Sequence, residues 1–101
     1  MIDLDEKSLD EIRRILRTYM PGVEARVFGS RVNHVSPRYS DLDIALVSGE
    51  IIGISRLEEI RNAFSESDLP IQVDVLDWHA ISPAFQKTIG KQYEVVQAGS
   101  Q

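Results

Sequence analysis

The chain has no cysteine among its 101 residues, so it contains no disulfide bond and no thiolate metal site. Carboxylates are then the natural ligands for any metal ion. The sequence also lacks an apolar run long enough to cross a bilayer. The acidic residues 1–7 lack the apolar core of an export signal. We therefore expect a cytoplasmic protein that does not contact a membrane.

Positive charge is scarce, because 11 Lys and Arg oppose 16 Asp and Glu for a formal net charge of −5. Surfaces that bind nucleic acid broadly neutralise phosphates with Lys and Arg, so this balance argues against such a surface. The argument is weaker for an enzyme, since clustered carboxylates become locally cationic once they hold a metal ion. The length predicts one compact domain over residues 1–101, and the sequence shows no repeat or linker.

Hydrophobic periodicity predicts the order helix, strand, strand, helix, strand, helix, strand. Capping-box pairs predict helix starts at Ser8, with Glu11, and at Ser55, and a serine before proline predicts a third start at Ser82. The predicted strands cover residues 23–28, 41–46, 71–75 and 93–96. This order indicates an α/β (α+β) fold with a small mixed β-sheet and helices packed on it.

Gly29 and Ser30 end the first predicted strand abruptly. Glycine lets the backbone approach a ligand closely, and free backbone N–H groups together with the Ser30 hydroxyl bind phosphate oxygens. Taken alone, a Gly-Ser pair is more often an ordinary turn. The pair therefore indicates a phosphate site only in combination with other residues.

Three aspartates fall on the polar faces of predicted strands: Asp41 and Asp43 on the second, and Asp74 on the third. Residues two apart on a strand point to one face, roughly 6.5–7 Å apart, so the first two can converge on one metal ion. If the third strand lies beside the second, Asp74 joins them, and a divalent cation would offset the repulsion between the three carboxylates. The alternatives are a solvated acidic edge strand for the first two and an ordinary surface position for the third.

The motif Gly29-Ser30-Arg31, followed by the Asp-Leu-Asp segment within residues 40–46 and an aspartate between two valines at 73–75, resembles the DNA polymerase beta-like nucleotidyltransferase superfamily. The short chain is similar to its minimal nucleotidyltransferase (MNT) group. The resemblance implies the polymerase beta-like palm fold. Many members continue the first motif with a small residue, a second arginine and a glycine, whereas this chain has Val32, Asn33 and His34.

The resemblance also implies roles for the site residues. The triphosphate of ATP would contact Gly29, Ser30 and Arg31. One or two Mg²⁺ ions would be bound by the catalytic residues Asp41, Asp43 and Asp74. The last of these would also help to deprotonate the acceptor hydroxyl.

The function implied by the resemblance is transfer of AMP from ATP to a hydroxyl group. Its acceptor would be a tyrosine of a HEPN-domain ribonuclease, with which the protein would form a hetero-oligomeric toxin–antitoxin pair. A non-catalytic subunit that binds a HEPN-type protein stays open, because the residues at 32–34 depart from the pattern. An enzyme acting on a small molecule such as an aminoglycoside also stays open, although such relatives generally carry a further acceptor domain.

Three residues after the third strand are interpreted as structural. Asp77 falls on the opposite side of that strand from Asp74 and is most simply a strand-end or turn residue. His79 has no partner at a recognisable metal-binding spacing. A single tryptophan beside a strand is more often a packing residue than a stacking platform for a base, so Trp78 is interpreted in that way.

Overall fold

The computed structural model describes residues 4–29 and 41–99. Within these ranges the helices and strands follow the predicted order, with one short 3-10 helix added after the third strand. The elements are α1 (Glu6–Tyr19), β1 (Glu24–Phe28), β2 (Leu42–Val47), α2 (Ile54–Ser65), β3 (Val73–Asp77), the 3-10 helix Trp78–Ala80, α3 (Pro83–Lys91) and β4 (Glu94–Gln97). None of the helices in the described ranges has the length and apolar character needed to span a membrane.

The first helix begins earlier than predicted. Asp5 is its N-cap, and the carboxylate accepts a hydrogen bond from the backbone N–H of Ser8 at 3.4 Å. Hydrogen bonding with Ser8 holds the pKa of Asp5 below its usual value. Glu11 does not complete a capping box, because its carboxylate binds the Arg14 side chain instead. The predicted cap at Ser8 is therefore wrong, and that serine is buried inside the helix.

The other two helices begin in different ways. α2 follows Gly53, which makes no side-chain capping bond, so the predicted cap at Ser55 is wrong by two residues. α3 begins as predicted: the Ser82 side chain accepts a hydrogen bond from the backbone N–H of Phe85 at 3.1 Å, and Pro83 opens the helix. Proline suits this position because its missing N–H would have no partner inside the helix.

The four strands form one mixed sheet in the order β3-β2-β1-β4. β1 is antiparallel to both β2 and β4, whereas β2 and β3 are parallel. The parallel pair requires a long connection, which α2 provides. The mixed sheet predicted from the sequence is therefore confirmed, although β3 begins at Val73, two residues later than predicted.

The hydrophobic core lies between one face of the sheet and the helices α1 and α2. Alternate residues of β1 and β2 point into it, which leaves their other side chains on the opposite face. We call that opposite face the site face; α3 covers part of it, where Phe85 meets the Phe28 ring edge-on at 5.9 Å. The core includes Ile12, Ile15, Leu16, Ala25, Val27, Leu42, Ile44, Leu46, Ile60 and Phe64.

Candidate functional site

The parallel pairing of β2 and β3 brings two of the predicted aspartates together. Asp43 lies directly opposite Asp74 in the register. The neighbours of Asp43, Leu42 and Ile44, are completely buried in the core, so the Asp43 side chain must point to the site face. The condition that the sequence left open, adjacency of the second and third strands, is therefore confirmed.

The third predicted carboxylate lies at the entrance to the same strand. Asp41 comes directly before β2 and is exposed. Burial, then the charge of Asp74, then the charge of Asp41 raise the pKa of Asp43 above its usual value. The three carboxylates thus interact electrostatically, and Asp43 is the one whose ionisation the surroundings oppose.

These carboxylates do not form a closed metal site in the structure. Within residues 4–29 and 41–99, no group of three His, Cys, Asp or Glu side chains is arranged so that it could hold a metal ion. Asp74 accepts a hydrogen bond from the side-chain amide of Gln72 at 3.0 Å. Carboxylate oxygens remain the ligand type that Mg²⁺ prefers, and a divalent cation between Asp43 and Asp74 would offset their repulsion. The donor set therefore fits Mg²⁺ in chemistry.

Gly29 ends β1 directly beside Asp43. Its φ of +88° is a conformation that side-chain-bearing residues rarely adopt, and a Cβ added here would lie 2.8 Å from an Asp43 carboxylate oxygen. The preceding residue, Phe28, is the register partner of Asp43, which explains this close approach. The predicted contact residues Ser30 and Arg31, and the departures at residues 32–34, lie outside the described residues.

The strand order gives the site two distinct sides. Gly29 ends β1, Asp43 belongs to the central strand β2, and Asp74 belongs to β3. A ligand held by the Gly29 backbone and a second ligand near Asp74 would therefore approach from opposite sides of Asp43.

Sequence reasoning missed two side chains near the site. The Arg26 guanidinium on β1 lies 4.9 Å from the centre of the Trp78 ring and 4.4 Å from that of Tyr93. It also forms an ion pair with Glu24. Gln72, which binds Asp74, is the second. In both cases the available signal was a polar residue two positions from a site-face residue, on the same strand for Arg26 and directly before the strand for Gln72.

The structural interpretation of Asp77 and His79 is confirmed. Asp77 is 2% exposed and its carboxylate accepts hydrogen bonds from the backbone N–H groups of Ile52 at 2.8 Å and His79 at 3.0 Å. The Nε2 atom of His79 lies 2.6 Å from the backbone carbonyl oxygen of Ser48. Both residues therefore hold the connection between β2 and α2 against the end of β3.

Comparison with known proteins identifies a family and several similar proteins. The model of the polymerase beta nucleotidyltransferase domain family matches residues 10–100. A protein of Haemophilus influenzae named as a probable protein adenylyltransferase, MntA, is 40% identical over 96 residues, which are 95% of this chain and 84% of that protein.

Solved structures share the fold. A crystal structure of a toxin–antitoxin with AMP-PNP matches with a TM-score of 0.76 and 23% identity, over 92% of this chain and 75% of that chain. A structure of a tri-AMPylated Shewanella oneidensis HEPN toxin in complex with its MNT antitoxin matches with a TM-score of 0.71 and 21% identity, over 94% and 73%. At these identities the likeness shows the fold alone.

Proposed function

Because the chain belongs to the polymerase beta nucleotidyltransferase family, we propose that it transfers AMP from ATP to a hydroxyl group of a HEPN-type partner protein. The name of the Haemophilus relative supports a protein acceptor. The toxin–antitoxin complexes among the structural neighbours support a HEPN-type partner in a hetero-oligomer. The geometric observation that carries the proposal is Asp43 beside Asp74, with the Gly29 backbone packed against Asp43. Because the proposed reaction consumes ATP, which is present in the cytoplasm, we propose that the protein acts there.

In this proposal Asp43 and Asp74 bind Mg²⁺ together with Asp41. The raised pKa of Asp43 reflects burial beside two other carboxylates, and a bound divalent cation favours the charged form that ligation requires. When bound, Mg²⁺ would neutralise charge on the triphosphate and on the attacking oxygen. Asp41 is exposed next to β2, so it can turn toward the same ion without disturbing the core.

The chain's own groups then have separate tasks. Gly29 has no side chain that would crowd the Asp43 carboxylate, and its backbone, Ser30 and Arg31 are proposed to contact the triphosphate. Asp74, on the β3 side, accepts the proton of the acceptor hydroxyl. The acceptor oxygen forms a bond to the α-phosphorus as the bond to the bridging oxygen breaks, and pyrophosphate leaves. Positioning and electrostatic stabilisation supply most of the rate enhancement in such a transfer.

The test uses the purified protein, Mg²⁺ and ATP labelled on the α-phosphate, mixed with the protein encoded by the neighbouring gene. We expect that protein to gain label and the mass of AMP, and we expect neither gain with Asp41→Asn. A stable complex without label transfer would contradict the enzyme proposal and favour a non-catalytic subunit. Label transfer to an aminoglycoside but not to the protein would contradict the protein acceptor.

A further inference from the structure

The outer edge of β3 is the edge of the sheet nearest to Asp74. β3 is the terminal strand, and no described residue pairs with its outer side. The backbone N–H of Leu42 donates to the carbonyl oxygen of Gln72 at 2.9 Å, so the backbone groups of Gln72 point toward β2. Backbone groups alternate in direction along a strand. Those of Val73 and Val75 therefore point outward.

A side chain from α2 closes part of this edge. Two nitrogens of the Arg61 guanidinium donate to the outward carbonyl oxygen of Val75, at 3.2 and 2.9 Å. Among the residues that the structure describes, nothing binds the backbone N–H or carbonyl of Val73. The open part of the edge is therefore the first residue of β3, which lies next to Asp74, and Arg61 prevents longer pairing beyond it.

A groove of about 780 Å³ runs along this edge. Phe64, Leu69 and Ile71 line its apolar part, and the exposed residues Asn62 and Asp74 also line it. Gly29 lies on the far side of β2 from the groove. The groove is thus on the Asp74 side of the site, away from the residue that the proposed function assigns to the nucleotide.

We infer that this groove binds the acceptor segment of the partner protein as a short extended strand that pairs with the backbone of Val73. The inference rests on the proposed function and names the acceptor's binding site. A residue added beside Asp74 on the site face would have its Cβ about 4.5–5.5 Å away, as cross-strand neighbours do. Its hydroxyl-bearing side chain would then lie over the carboxylates.

Alternation along the added strand also assigns its neighbouring side chains. The flanking residue that lies beside Val73 points to the opposite face. There it meets the apolar part of the groove, which Phe64 and Leu69 line. The other flanking residue lies toward Val75, whose outward carbonyl oxygen Arg61 already binds. The structure therefore assigns to the acceptor an extended segment with an apolar residue next to the modified one.

The first experiment fills the groove without changing a carboxylate. Asn62→Trp places a large ring in the lining of the groove, and Glu59→Trp, exposed on the same helix but outside the groove, is the matched control. We expect Asn62→Trp to raise the KM for the acceptor protein about tenfold, as the loss of a short strand contact implies, and to change kcat much less. Equal KM values for the two variants would overturn the inference.

A second pair of variants tests the backbone contact. Val73→Pro removes the outward N–H, and proline is tolerated at the first residue of an edge strand. Val73→Ala keeps the N–H and serves as the control. We expect the proline variant to have a KM for the acceptor about fivefold above that of the alanine variant, the effect of one lost hydrogen bond. If both variants fold and have the same KM, strand pairing at Val73 is excluded.

A cross-linking experiment separates this inference from the proposed function. Because the chain has no cysteine, Ser65→Cys in the groove wall gives a unique attachment point for a photo-cross-linker. We expect cross-links within a few residues of the modified hydroxyl. Cross-links to a second copy of this chain, or far from that hydroxyl, would overturn the docking inference while AMP transfer still stands. Absence of AMP transfer to any protein by the unmodified chain would refute the proposed function, and this inference with it.

Discussion

Asp43 and Gly29 show at the scale of single residues how the site departs from what stability alone would favour. Asp43 is half-buried between two other carboxylates that oppose its charge. Gly29 adopts a positive φ against the same side chain. Neither feature stabilises the fold, and unfavourable local arrangements of this kind are concentrated at functional sites.

Replacement of Asp43 by asparagine is expected to stabilise the metal-free protein and abolish AMP transfer. The folded state raises the pKa of Asp43, so the charged carboxylate destabilises the fold, and this penalty grows as pH rises from about 4 through the folded pKa. The partly exposed site limits the gain at pH 7 to less than about 1 kcal/mol. Thermal unfolding in EDTA at pH 7 and pH 4 measures it. A gain that does not shrink at pH 4, or a loss at pH 7, would contradict the electrostatic explanation.

Replacement of Gly29 by alanine is expected to disturb fold and site together. The φ of +88° and the 2.8 Å approach to the Asp43 carboxylate predict a cost of about 1–3 kcal/mol and weaker binding of Mg·ATP. Urea unfolding and nucleotide titration measure the two effects. Gly49→Ala is the control, because among the described residues no atom beyond its chain neighbours lies within 4 Å of its Cβ position, and its stability should change by less than about 0.5 kcal/mol. Equal stabilities of the two variants would show that the site tolerates a Cβ.

At the scale of elements, the helix starts show which local signals are sufficient. Ser82 is followed by proline, and its side chain binds the N–H three residues later, as the pattern predicts. The pattern at Ser8 has a competitor, because Asp5 is an equally good capping residue one turn earlier. At Ser55 the chain already turns into the helix at Gly53. Local pattern alone does not decide between neighbouring caps.

Ser82 and Ser55 were both predicted as helix caps, but their replacement by alanine should affect the free energy of unfolding differently. Ser82→Ala removes the side-chain bond to the Phe85 N–H and should lower the free energy of unfolding by about 1 kcal/mol. Ser55→Ala removes no capping bond and should change it by less than about 0.5 kcal/mol. Urea denaturation of both variants checks this. A larger loss of stability in Ser55→Ala than in Ser82→Ala would contradict this expectation and support the cap at Ser55 that the sequence predicted.

At the scale of the whole molecule, the Asp77 carboxylate links the connection between β2 and α2 to the 3-10 helix that follows β3. The residue ends β3 and points away from the site face, and its buried carboxylate holds the N–H groups of Ile52 and His79. The connection between β2 and α2 is thereby tied to the same strand that positions Asp74. The arrangement gives this acidic residue of β3 a structural task.

Removal of this carboxylate is expected to cost stability rather than chemistry. Asp77→Ala leaves the buried N–H of Ile52 without its acceptor, and we expect a loss of about 2–3 kcal/mol in the free energy of unfolding. Asp68→Ala, at an exposed position, should change it by less than about 0.5 kcal/mol. Urea denaturation measures both. Loss of AMP transfer by Asp77→Ala without loss of stability would instead place Asp77 in the site.

Much of the fold and part of the site followed from residue order alone. The alternation of Leu42, Asp43 and Ile44 predicted a strand with one buried face, because side chains on a strand alternate between faces. The order of helices and strands predicted the mixed sheet, because each periodic segment has an apolar side that it must bury against its neighbours. The roles of Ser30 and Arg31, the metal ligation and the single domain over residues 1–101 stay predictions.

Only the tertiary structure decided which elements lie side by side. Asp43 and Asp74 are distant in sequence, and their meeting depends on the crossover of α2 and the parallel register of β2 with β3. The open edge at Val73 and its partial closure by Arg61 arise from the same packing. The local sequence determines which side chains of a strand share a face. Which strands become neighbours in the sheet depends on how the apolar surface of the whole molecule is buried.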